Sequence, residues 1–247
     1  MERRMLKLFR RNAAVPSRSP DSYQDIAKEE WAMVEYARPY TMTTPERMVY
    51  LMAAVKYIHT NHIPGAVVEC GVWRGGSMMI VARTLLNAGD CTRDLFLFDT
   101  FEGMPPPSDR DREFSGTSAE ALLRSRAKTR EDMIWAYAPL EDVDVNMRST
   151  GYPCDKIHLI KGKVENTIPQ SAPQSIALLR LDTDWYQSTL HELNHLYSRL
   201  VQHGVLIIDD YGWWQGARQS VDEFFERGPF KPLLGRIDNT ARSVIKP

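Results

Sequence analysis

Apolar residues recur along this chain in two alternating rhythms. Short, nearly unbroken aliphatic runs appear at AVVEC (66–70), DLFLFD (94–99), KIHLIKGKV (156–164), SIALLRLDTD (175–184) and GVLIIDDYG (204–212). Each reads as a buried strand. Between them lie stretches whose apolar residues return every three or four positions. TMTTPERMVYLMAAVKYIHTNHIPG (41–65) predicts a helix with Met48, Leu51, Met52, Val55 and Ile58 on one stripe. Thr43 or Thr44 caps its start, Pro45 fits the first turn, and Glu46 completes a capping box with Thr43. Further helices are predicted over 78–89, 118–138, 188–204 and 216–228. Strands buried on both faces and separated by helices predict an α/β fold with a mostly parallel sheet covered on both sides. FKPLLGRIDNTARSVIKP (230–247) breaks the rhythm and predicts an antiparallel hairpin around an Asp-Asn turn.

Residues 105–155 fit the alternation poorly. They open with the polar PPPSDRDREFSG and are too long for a plain connection. A lid or acceptor-binding insertion into a single domain over 40–247 is the expectation, with an ornamental surface insertion as the plainer alternative. Residues 1–39 read as an N-terminal basic extension, with no apolar run long enough for a signal peptide or a membrane span.

Composition adds limits. The chain has 247 residues and a formal net charge of −1, so no overall field recruits nucleic acid or an acidic membrane. Cys70, Cys91 and Cys154 are scattered and odd in number, which argues against a disulfide framework or a structural zinc site and for a reducing, cytoplasmic setting.

The chemistry-bearing residues collect where the strands end. Glu69, Asp99, Asp182, Asp184, Asp209 and Asp210 all fall at the carboxyl ends of predicted strands, where open α/β sheets bind ligands. The first turn, VVECGVWRGGS, carries Gly71, Gly75 and Gly76 in a G-x-x-x-G-G pattern, not the dinucleotide-binding G-x-G-x-x-G. Those glycines let the backbone bend and approach a ligand closely. Glu69 suits an ammonium better than a pyrophosphate, and Asp99 stands where an acid takes ribose hydroxyls. Together they point to a nucleoside carrying an amino acid. Asp182 and Asp184, one residue apart on a strand end, would face the same way and meet the Asp209–Asp210 pair of the next strand. Without a lysine among them, such a cluster needs a cation. Oxygen ligands favour a hard ion, Mg²⁺ first, with Ca²⁺ or Mn²⁺ as alternatives. The assignment is Asp182 as ligand and Asp184 as general base for a hydroxyl made more acidic by the ion. Acids at strand ends also cap helices, and Asp210 is placed to do so. No G-x-S-x-G elbow or G-x-x-x-x-G-K-[ST] loop occurs.

Two rivals share features. Phosphatases of the haloacid dehalogenase type also use D-x-D, but on the first strand and with Thr where this chain has Tyr186. A cofactor-binding module without catalysis has little use for a metal and a base together.

YTMTTPERMVYL, VVECGVWRGGS, FDTFEGMP, LRLDTDWYQST and IIDDYGWWQGARQSVDEFF, in this order, resemble the macrocin O-methyltransferase family over residues 40–247. The resemblance implies a class I, Rossmann-like methyltransferase with a seven-stranded sheet and an antiparallel last strand. It implies transfer of a methyl group from S-adenosylmethionine to a sugar hydroxyl of a glycosylated small molecule, in a homodimer. Glu69 through Ser77 would hold the methionine part of the cofactor, Asp99 the ribose, and Thr41 and Met42 would close over it. Asp182, Asp209 and Asp210 would bind Mg²⁺, and Asp184 would be the base.

Overall fold

A computed structural model of the chain describes residues 23–247, so residues 1–22 of the basic extension lie outside the described residues. The sheet has seven strands: β1 (Ala66–Cys70), β2 (Leu95–Asp99), β3 (Ile157–Lys161), β4 (Ile176–Leu181), β5 (Leu200–Ile208), β6 (Gly235–Arg236) and β7 (Arg242–Ile245). Their order is β3-β2-β1-β4-β5-β7-β6. The first five run parallel, and β7 pairs antiparallel with both β5 and β6. The α/β class, the parallel sheet and the closing hairpin are therefore as expected.

Strand alternation divides the core into two layers. Val67, Leu97, Leu178 and Ile207 point to one face with α1 (Lys28–Ala37), α2 (Pro45–Thr60), α3 (Gly76–Asn87) and α5 (Leu140–Ser149). Val68, Phe98, Leu179 and Ile208 point to the other with α6 (Val164–Thr167), α7 (Tyr186–Leu196) and α8 (Gln215–Arg227). Apolar burial on both faces of every central strand is why these runs lack polar alternation. Among the described residues, no helix is long and apolar enough to cross a membrane.

Three boundaries differ from the sequence reading. The helix expected over 188–204 is α7, which stops at Leu196; β5 already begins at Leu200, paired with Ile176 across an irregular register. Strand pairing has claimed the end of an apolar pattern that fits a helix equally well. The helix expected over 118–138 shrinks to α4 (Ala119–Arg124), after which Asp132 Oδ1 accepts the amides of Ile134 and Trp135 and turns the chain. Residues 28–37, assigned to the extension, form α1, whose Met33, Val34 and Ala37 join the core; the packed domain thus begins ahead of residue 40.

At the start of α2 the cap is Thr44, whose hydroxyl accepts the Arg47 amide at 3.3 Å. Glu46 does not close a capping box on Thr43 but accepts the Tyr23 hydroxyl at 3.0 Å. Gly71, straight after β1, has φ +80° and lies so close to the Asp182 carbonyl that a methyl group there would collide with backbone. Gly71→Ala is expected to lower unfolding stability by about 3 kcal/mol, through strain and displacement of the 182–184 segment. Urea denaturation followed by circular dichroism checks this. An unchanged midpoint would show that the two strand ends have more slack than their approach implies.

Candidate active site

The order of strands reverses between β1 and β4, the crevice where parallel sheets bind ligands. Register places Glu69 opposite Arg180, and Leu181 opposite Ile208. Asp182 and Asp209 therefore leave the sheet side by side, with the Asp209 amide bonded to the Leu181 carbonyl at 2.9 Å. Arg180 and Asp182 are two apart, and both side chains reach the same spot.

The expectation that these acids have no resident positive partner is corrected. Arg180, only 4% exposed, contacts Glu69 Oε1 and Asp182 Oδ2 (2.7 Å) through Nη1 and Asp209 Oδ1 (2.6 Å) through Nη2. Arg47, from the first turn of α2, meets Asp209 Oδ2 from the other side. Period-two alternation in LLRLDTD carried the signal for Arg180. Nothing local linked Arg47, 162 residues away from Asp209, to the cluster. Burial alone would raise Asp209, but the two guanidinium groups outweigh it and hold this carboxyl below its ordinary range. Burial pushes Asp182 up to about 6, partly countered by Arg180. Glu69, wholly buried, is pushed up to about 8, again against the pull of Arg180.

Asp184 departs from the strand-face reading. β4 ends at Leu181, and Asp184 adopts φ +64°, so its position is set by a turn and not by alternation. Its carboxyl lies against Asp210 and the Trp214 side chain. Burial first, then the charge of Asp182, raise it to about 7, and burial and the charge of Asp184 raise Asp210 as well. Behind this turn lies Glu192 of α7, fully buried, near Thr183 and Cys70, and raised by burial. Helical spacing had assigned Glu192 no role.

A cavity of about 720 Å³ opens over these strand ends. Thr41, Met42, Glu69, Gly71, Ser77, Asp99, Asp182, Asp184, Asp209 and Asp210 all line it, so it unites every expected site residue except two glycines. Gly75 has φ +87° and starts α3 against Val143. Gly76 packs under Tyr40, 2.6 Å from where a Cβ would sit, and thereby holds the 41–43 segment against the cavity. Asp99 spends most of its carboxylate on backbone: Oδ2 accepts the Val72 and Trp73 amides (2.7 and 3.1 Å), and Oδ1 accepts the Phe101 amide (2.7 Å). The single Thr100 hydroxyl proton goes to the Gly103 carbonyl at 2.7 Å, which leaves Oδ1 one acceptor position.

The insertion is not a loose flap throughout. Buried Asp111 accepts from Ser108 and from the Tyr186 amide at 2.8 Å, and the Gln215 amide donates to Arg112, which pins residues 108–113 to the starts of α7 and α8. Beyond it, Asp132, Met133, Ile134 and Ala136 border the cavity, and Trp185 packs edge-on against Trp214 beneath them.

Two orphaned atoms fit the groups the site would hold. Oε2 of Glu69 is buried without a partner on the cavity wall, as a carboxylate awaiting an ammonium would be. Oδ2 of Asp210 is also buried and unpartnered, and Asp182, Asp209 and Asp210 each offer an oxygen within 4.8 Å of the others. All-oxygen donors at that spacing fit a hard divalent ion. The D-x-D follows the fourth strand, so the phosphatase arrangement, on a first strand, is absent.

Comparison with known proteins identifies the family. The family model for macrocin O-methyltransferase matches residues 3–244. A tetracenomycin-C rhamnoside 4'-O-methyltransferase of Streptomyces olivaceus is 31% identical over 221 residues, covering 90% of this chain and 79% of its own length. Mycinamicin III 3''-O-methyltransferase of Micromonospora griseorubida is 32% identical over 219 residues, covering 85% and 83%. The structure of the O-methyltransferase NovP superposes with a TM-score of 0.71 at 27% identity, over 84% of this chain and 82% of that one. A fold with this strand order, a cavity at its switch point and relatives of this likeness make the chain an S-adenosylmethionine-dependent O-methyltransferase, a member of the macrocin O-methyltransferase family.

Proposed function

We propose that the enzyme methylates a sugar hydroxyl of a glycosylated natural product, with Mg²⁺ on Asp182, Asp209 and Asp210 and with Asp184 as general base. The observation that carries this reading is the meeting of three carboxylates within 4.8 Å beside Asp184 on the wall of the donor cavity. Relatives named for methylation of a rhamnosylated tetracenomycin and of mycinamicin III support the acceptor class.

Glu69 Oε2 holds the donor's ammonium, Ser77 and the Gly71 turn border its amino-acid end, and the free acceptor position on Asp99 takes a ribose hydroxyl. Thr41 and Met42 cover the donor from the side of α2. Asp184, kept close to neutral pKa by burial, receives the acceptor hydroxyl proton as the oxygen lone pair attacks the sulfonium methyl carbon, and the C–S electron pair returns to sulfur. Mg²⁺, when bound, stabilises the negative charge that grows on the acceptor oxygen. Residues 126–136 of the insertion wall off the acceptor and keep water from the reaction. We read the enzyme as cytoplasmic, in keeping with cysteines that are all unpaired, and as a homodimer; exposed Phe230 and Leu233 flank its sheet edge.

The test uses metal-stripped protein with S-adenosylmethionine and a panel of rhamnosylated and macrolide acceptors, following S-adenosylhomocysteine release. Turnover absent in EDTA and restored by Mg²⁺ is expected. Turnover undiminished by EDTA would remove the metal from the mechanism.

A further inference from the structure

The acidic cluster meets two arginines of different character. Arg180 is 4% exposed and bonded to three carboxylates at once, which leaves it nowhere else to go. Arg47 lines the cavity with a side chain 15% exposed, and it bridges two acids of different kinds. Its Nη1 faces Asp209 Oδ2, inside the cluster, while its Nε donates to Asp238 Oδ2 at 2.8 Å, outside it. Asp238 is a firm anchor in the β6–β7 turn. Its Oδ1 accepts the Thr240 and Ala241 amides at 2.9 and 2.8 Å, and Oδ2 also accepts the Thr44 hydroxyl at 2.9 Å.

With Arg180 on one oxygen of Asp209 and Arg47 on the other, a divalent ion must approach this ligand against a cation already in contact with it. Like charges that share one oxygen repel strongly at such range. Arg180 is buried and also holds Asp182, a second acid of the set, whereas Arg47 borders the cavity and has in Asp238 an acid outside the set to retire to. We propose that Arg47 is a displaceable counter-cation: it neutralises Asp209 while no divalent ion is present and withdraws its terminal nitrogen, still tethered to Asp238, when one binds. This rests on the metal reading above. It explains why an acid of the hairpin turn is tied to the first turn of α2, and it makes divalent affinity a property set partly by Asp238. Because Thr44 and Arg47 follow directly on Thr41–Thr43 of the cavity wall, the exchange takes place next to the donor.

The experiment measures Mn²⁺ binding to the full chain by electron paramagnetic resonance of the free ion, at fixed ionic strength and without donor or acceptor. Arg47→Met, which keeps the aliphatic stem, is expected to bind Mn²⁺ roughly tenfold more tightly than wild type. Arg47→Gln gives the same gain and guards against misfolding of the first variant, which thermal unfolding monitors. Asp238→Asn alone, by taking away the retreat, binds several-fold more weakly. The double variant Arg47→Met with Asp238→Asn restores the wild-type charge, yet is expected to stay several-fold tighter, because the competitor for Asp209 is gone. A double variant back at wild-type affinity would reduce the effect to general charge and overturn the exchange. Wild type that binds while Arg47→Met shows no gain overturns the exchange but spares the metal reading. No Mn²⁺ binding by any form sinks both.

Discussion

Asp184→Asn is expected to lower kcat for methyl transfer by roughly 10²- to 10⁴-fold, the range typical of a lost general base. The substitution is a clean one for structural reasons. Asp184 sits at φ +64°, a left-handed conformation that Asn accepts as readily as Asp, so the turn between β4 and α7 should keep its shape. Asn also keeps the size of the native side chain beside Trp214. What disappears is the basic oxygen that, on the proposed mechanism, takes the acceptor's proton. Calorimetry should therefore find S-adenosylhomocysteine affinity unchanged within about twofold, since Glu69, Asp99 and the Gly71 turn are untouched. Activity retained within tenfold of wild type would transfer the proton to another group, and Asp210, the neighbouring carboxyl, would be the first to examine.

Arg180→Met is the change expected to cost most in stability, about 3–5 kcal/mol in a denaturant titration, because it strands buried carboxylates whose shared cation is removed. Met approximates the volume, so the loss reports charge more than packing. Glu69 and Asp182 would feel it most: Arg180 is the bonded cation of both. The pH dependence follows from the raised values. Glu69 and Asp182, with folded pKa values of about 8 and about 6, hold protons more tightly folded than unfolded. Their contribution is complete below the ordinary carboxylate range and is lost as pH rises through 6 and then 8. Without Arg180 both groups release their protons at higher pH still, so the gap between wild type and variant should widen from pH 5 toward pH 8, on top of a loss at Asp209 that is present at both ends. A gap below about 1 kcal/mol at pH 8 would mean that water or Arg47 already neutralises the cluster.

How far the site could be read in advance depended on the kind of information each residue carries. Glu69, Asp99, Asp182 and Asp209 stand at strand ends, and a strand end is visible wherever an aliphatic run stops. Their convergence followed once the strands were taken as parallel neighbours. Asp184 lines the cavity, but not through strand alternation, which ends at Leu181; a turn with positive φ sets its position. Gly75 and Gly76, expected beside a ligand, instead start α3 and seat Tyr40 and Thr41. The insertion was recognised as an interruption, yet its attachment through Asp111 to the Tyr186 amide joins positions with no shared periodicity.

Local patterning, by itself, determined the parallel sheet, its closing hairpin, the helices with strong apolar stripes and the set of acids available for chemistry. Burial of apolar side chains imposes those periods, and periods are written into consecutive residues. Only the tertiary structure decided which cations meet those acids. Arg47, Arg180, Asp209 and Asp238 come from four separate segments, and the energy that pairs them depends on distance and burial, neither of which exists until the chain has folded.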